Sequence, residues 1–124
     1  MNKTFTCRRR RIGSARFGVN LDVQLSGQNS EGTELEWIGV VRDLAMRGAM
    51  IETHARVKKG DKLKLSLTLP NRTDLLELPA VAVRWARGRR LGVEFLKMDA
   101  ETKRQLMRYL SGVHSTARAQ RKAA

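Results

Sequence analysis

The chain has 124 residues, with 25 Lys or Arg against 12 Asp or Glu and a net charge of +13. That length suits one domain, and a 41% hydrophobic, 30% charged composition excludes a wholly disordered chain. A single cysteine, Cys7, excludes an internal disulfide, and no apolar run is long enough to span a membrane.

In chain order, residues 1–15 read as a flexible basic arm. Lys3, Arg8, Arg9, Arg10 and Arg11, followed by Arg16, put six cations and no acid in the first sixteen residues. Guanidinium forks suit phosphate and guanine better than ammonium groups do. Residues 17–25 then alternate apolar and polar, the pattern of a half-buried strand. A Gly/Ser/Asn loop at 26–33 leads to a second strand at 34–43. The turn "LAMRG" precedes a third strand at 49–53, and "KKGD" precedes a fourth at 62–69. In that fourth strand Leu63, Leu65, Leu67 and Leu69 share one face. "PNRTD" turns into a fifth strand at 76–86, and "GRR" turns into a sixth at 91–97. Short strands with regular turn signals predict a small antiparallel barrel.

The end of the chain changes period. Asp99 is a good helix cap and Glu101 suits the first turn. Leu106, Met107, Tyr109, Leu110 and Val113 mark an apolar helical face, so a helix of about four turns is expected to close the domain. The expected organisation is an arm over 1–15, a barrel with its helix over 16–113, and a basic tail over 114–124.

The charge excess favours an anionic partner: a nucleotide, a nucleic acid or an anionic membrane. On charge alone, the arm reads as a solvated basic arm that contacts RNA, DNA or nothing. Nucleic acid is nonetheless not expected. It would need exposed aromatic platforms, and most of the six aromatic residues look buried, Trp37 and Trp85 included. Arg87, Arg89 and Arg90 read as a solvated hairpin tip. His54 and His114 have no metal-ligand spacing, so no metal and no cofactor are expected. No nucleophile, base and orienting acid stand at a recognisable spacing, so the chain does not read as an enzyme. The lone cysteine and the lack of a signal-peptide h-region point to the cytoplasm.

The order of basic arm, first strand, "VRDLAMRGAMIET", "VAVRWARGRRLGVEF" and "DAETKRQLMRYL" resembles the PilZ domain family over roughly residues 8–112. The resemblance implies a six-stranded antiparallel β-barrel plus a C-terminal α-helix. It also implies a ligand, the bacterial second messenger cyclic di-GMP, bound by two motifs. One is RxxxR before the first strand. The other is [D/N]xSxxG after the second. Asp43 and Gly48 match the latter, with Ala45 in place of the serine. Arg16 stands where the second arginine of RxxxR belongs. The first would fall on Ile12, and Arg10 and Arg11 become its candidates, with the Gly13-Ser14 spacer taking up the shift. The implied ligand residues are therefore Arg10, Arg11, Arg16, Asp43, Ala45 and Gly48. Two functions follow from the resemblance. The chain is a cyclic di-GMP receptor that relays the signal to an unidentified protein effector, or a degenerate PilZ-like module that acts through protein contacts without the nucleotide.

Overall fold

The computed structural model describes residues 16–28, 31–70 and 75–123. The arm expected over 1–15, with Arg10 and Arg11, lies outside the described residues. Six strands form in chain order: β1 (Phe17–Gln28), β2 (Glu34–Leu44), β3 (Gly48–Thr53), β4 (Lys62–Thr68), β5 (Leu75–Arg87) and β6 (Arg90–Lys97). One helix, α1 (Ala100–Ala123), follows. The order β1-β2-β3-β6-β5-β4 closes into an antiparallel barrel, because β4 pairs back onto β1 with Val23 opposite Leu67 and Leu25 opposite Leu65. The fold expected from the sequence is the fold that forms.

Alternation decides what lies inside. In β4, Leu63, Leu65 and Leu67 are buried while Lys62, Lys64 and Thr68 are exposed. Leu21, Val23 and Leu25 do the same in β1, and Val81 and Val83 in β5. These side chains meet in one aliphatic cluster that also takes in Val41, Ile51, Leu91 and Val93. Burying each such side chain stabilises by about 1.5–3 kcal/mol. The β5–β6 hairpin turns at Gly88, whose φ of 60° is a conformation a side chain would strain.

The helix starts at a cap. Asp99 Oδ1 accepts a hydrogen bond from the Thr102 backbone N–H at 2.7 Å. Leu106 and Leu110 are fully buried in the barrel core, and α1 packs against β5 and β1. Met107, expected on the apolar face, is 40% exposed. It stands about 100° round the axis from Leu106, which carries it off the seam. The helical backbone continues to Ala123, beyond the four turns expected. Among the described residues no helix is long and apolar enough to cross a membrane.

Two outcomes follow for stability. Leu110→Ala lowers unfolding free energy by about 2–5 kcal/mol in denaturant titration, whereas Met107→Ala stays within about 0.5 kcal/mol. The Thr102 N–H holds the Asp99 carboxyl below its ordinary value of 3.8. A carboxyl depressed on folding adds stability that is present above its unfolded value and is lost as pH falls through the folded one. Asp99→Asn keeps an acceptor without the charge. Its thermal midpoint therefore lies below that of the wild type at neutral pH and converges on it as the buffer is acidified past the carboxylate range.

Candidate functional site

Arg16 immediately precedes β1, and Asp43 is the penultimate residue of β2. The two strands pair there, with Gly18 opposite Asp43. Arg16 Nε lies 3.2 Å from Asp43 Oδ2. Two of the expected ligand residues, far apart in sequence, are thus in direct contact. The Arg16 side chain is 61% exposed and that of Asp43 29%. An exposed pair of this kind is weak in water, so both groups remain available to a ligand.

Asp43 faces outward because β2 breaks its alternation. Val41 pairs with Ile51 of β3 and Asp43 with Met50, so Arg42 is an extra residue on the β2 side. The neighbouring strands keep their alternation: Leu21 is buried and Asp22 exposed in β1, Ile51 buried and Met50 only partly so in β3. The result is Val41 inside, Arg42 and Asp43 outside, Leu44 inside. In a regular strand Asp43 would share the inward face of Val41. A β-bulge has re-aimed it.

The turn after β2 is tight. The Ala45 N–H donates to the Gly48 carbonyl at 2.9 Å, and the Phe95 N–H of β6 donates to the Arg47 carbonyl at 2.8 Å. A methyl group added at Gly48 would collide with the Val93 carbonyl oxygen. The backbone of β6 thus approaches Gly48 closely. Ala45 presents a methyl group where a serine would present a hydroxyl.

A second bulge lies in β5. Val83 pairs with Val93, but Trp85 pairs with Gly92, leaving Arg84 extra. This corrects the expectation for Trp85. The series Val81, Val83, Trp85 places it in the core, yet it is 43% exposed. Its indole lies over Gly92, where any side chain would strike the ring. Trp37, by contrast, is partly buried against the core as expected. Cross-strand pairs now join into one outer row, from Asp43 through Met50 and Gly92 to Trp85, with Gly18 of β1 beside its Asp43 end. From Asp43 to Trp85 the row crosses three strand spacings, about 14 Å. Sequence reasoning missed this row because both of its ends are set by bulges.

Along the row Trp85 is exposed, Asp43 and Met50 are half-buried, and Gly92 is buried. A depression of about 700 Å³ lies elsewhere on the outer wall, between Asp22, Ile38, Val40, Glu52, His54 and Leu75. Arg16, Asp43, Ala45 and Gly48 do not line it. Arg87 and Arg89 are exposed as expected, while Arg90 Nε stands 3.6 Å from Glu52 Oε2. No cluster of three or more His, Cys, Asp or Glu occurs among the described residues.

A closed six-stranded barrel with a C-terminal helix, an arginine before the first strand and an Asp-to-Gly turn after the second defines a PilZ-type barrel. Residues 8–112 match the PilZ domain family, and the chain belongs to it. Solved structures agree. The PilZ domain of CeSA from a cellulose-synthesizing bacterium superposes with a TM-score of 0.61 at 19% identity, covering 82% of this chain and 99% of that one. The PilZ domain of YcgR from Escherichia coli, solved with c-di-GMP, gives 0.64 at 15% identity, with 94% and 99% covered. The Bacillus subtilis inhibitor of motility, MotI/DgrA, gives 0.65 at 19% identity over 87% of this chain and 52% of that one, so this chain spans about half its length. At these identities the likeness is one of fold. No curated protein sequence matches the chain.

Gly48→Ala separates the glycine's packing role from any ligand role. It lowers stability by about 1–3 kcal/mol in the absence of ligand, measured by chemical denaturation.

Proposed function

We propose that this chain is a cyclic di-GMP receptor domain, binding the nucleotide across the rim where Arg16 meets Asp43. The observation that carries the proposal is that contact, built by the two strand ends that bear the family's motifs. It is supported by YcgR, a structural neighbour solved with the same nucleotide.

The chemistry is direct. Cyclic di-GMP presents two phosphates and two guanines. Arginine pairs in fork geometry with phosphate oxygens or with guanine O6 and N7. Asp43 accepts from guanine N–H groups. Arg10 and Arg11, outside the described residues, close on the ligand from the arm. Trp85 extends the platform, since an exposed indole offers a face on which a purine stacks. The role is one of binding, and the signal passes to a protein effector from a cytoplasmic domain.

Ala45 favours a second reading, a degenerate module that no longer binds the nucleotide, because the serine hydroxyl of the family motif is missing. Calorimetric titration with cyclic di-GMP, against GTP and short DNA as controls, decides between them. On the receptor reading Arg16→Ala and Arg11→Ala each weaken binding about 10- to 150-fold, while Arg118→Ala leaves it unchanged. Ala45→Ser tightens it, by up to about tenfold. A wild type that binds no better to cyclic di-GMP than to GTP selects the degenerate module.

A further inference from the structure

The register also shifts near Gly18–Leu21, Leu63–Leu65 and Ala80–Val81, but the bulges at Arg42 and Arg84 share one construction. In each the extra residue is an arginine, Arg42 in β2 and Arg84 in β5. In each the arginine reaches a glutamate on the next strand: Arg42 Nε donates to Glu52 Oε1 at 2.6 Å, and Arg84 pairs with Glu94. In each the following residue is turned outward, Asp43 after Arg42 and Trp85 after Arg84. Glu52 stands on β3 and Glu94 on β6, so the two clamps grip the central pair of strands from opposite sides. Between them lies the row that ends in Asp43 and Trp85. Arg42 also donates from Nη1 to Asn20 Oδ1 at 2.8 Å, so one guanidinium spans β1, β2 and β3.

Stability does not account for these pairs. All four side chains are at least 32% exposed, and ion pairs at that exposure contribute little to folding. Their position accounts for them better. A bulge leaves a residue outside the regular ladder and loosens the strand locally. A fork-shaped guanidinium, held at both ends, fixes the direction in which that residue and its successor point. Glu52 suits the holding of such a fork, because hydrogen bonding from Arg42 keeps its carboxyl below the usual range, with Arg90 adding to the effect.

We infer that Arg42–Glu52 and Arg84–Glu94 are a matched pair of positioning clamps, which lock the two bulges and thereby preorganise Asp43 and Trp85 as the two ends of the ligand row. The inference rests on the reading of that row as the cyclic di-GMP site. Holding both ends of a site in place before binding lowers the ordering cost of the complex.

The test uses the full chain and calorimetry with cyclic di-GMP. Arg42→Lys keeps the charge but loses the fork that spans Asn20 and Glu52. It weakens binding about 5- to 30-fold, close to the effect of Arg42→Ala. Wild-type affinity in Arg42→Lys would make Arg42 a mere point charge and overturn the clamp. At the other bulge Arg84→Glu and Glu94→Arg each weaken binding, and the double exchange recovers most of the loss. A double variant as weak as the singles overturns the inference. Arg104→Ala, which breaks an exposed pair on α1, leaves affinity unchanged. A ligand-free readout separates failure of the clamp from failure of the nucleotide reading. Amide hydrogen exchange speeds up around Asp43 in Arg42→Lys and around Trp85 in Arg84→Glu, with Val93 in β6 unaffected. Unaltered exchange at the bulges sinks the clamp whatever the ligand does. Faster exchange in a chain whose wild type ignores the nucleotide overturns the nucleotide reading, and with it the assignment of the row.

Discussion

The pairing of β4 back onto β1 is the constraint on which the rest of the molecule depends. Once Leu65 sits opposite Leu25 and Leu67 opposite Val23, the sheet is a closed ring and every strand has one inside. A slip of one residue anywhere would send a whole apolar set to solvent. The core answers with apolar side chains from all six strands and two leucines from α1, with no charged group among them. In such a ring a polar side chain reaches the outer wall either by parity or by a break in parity. The outer row is made by two breaks. Beside this row Arg42 and Arg84 are the residues by which β2 and β5 fall out of step, and Asp43 and Trp85 are the ones that gain from it.

Charge is organised on the same wall. The chain carries +13 overall, yet carboxylates of the barrel stand against particular cations. Asp43 faces Arg16, Glu52 faces Arg42 and Arg90, and Glu94 faces Arg84. These contacts are exposed and individually weak. Their combined effect is to direct side chains: arginines that would sweep through solvent are held over particular strands. Cations in excess of these pairs remain to attract an anion, with a reach set by the ionic strength.

Much of this was legible in the sequence. "KLKLSLTL" states its own geometry, because a period of two is local and leaves little else for four leucines to do. Asp99 and the spacing of Leu106 and Leu110 announce the helix in the same local way. The contact between Arg16 and Asp43 was legible only through the family resemblance, since no spacing joins two residues on different strands. The bulges were not legible at all. An extra residue in a strand changes neither composition nor turn signals, and Trp85, two residues after Val83, reads as inward until the register with β6 is known. Gly48 was legible as a small residue but not for its neighbour, which comes from a strand far along the chain. Arg42 and Arg84 carry no signal in the sequence, because their partners lie on strands that only the fold brings alongside.

Closure has a consequence for how such a domain meets other proteins. An open sheet ends in strands with unpaired backbone N–H and C=O groups, and these invite a partner's strand or a second copy of the same one. Here β1 and β4, which would be those ends, satisfy each other. Over Val23–Ser26 and Lys64–Leu67 the described barrel offers no backbone edge, so strand addition there is closed to a partner. What remains is contact through side chains on the wall, through the hairpin tips, or through α1. Along the closed ladder the barrel therefore offers a partner only the direction of its side chains, because the backbone there is already spoken for.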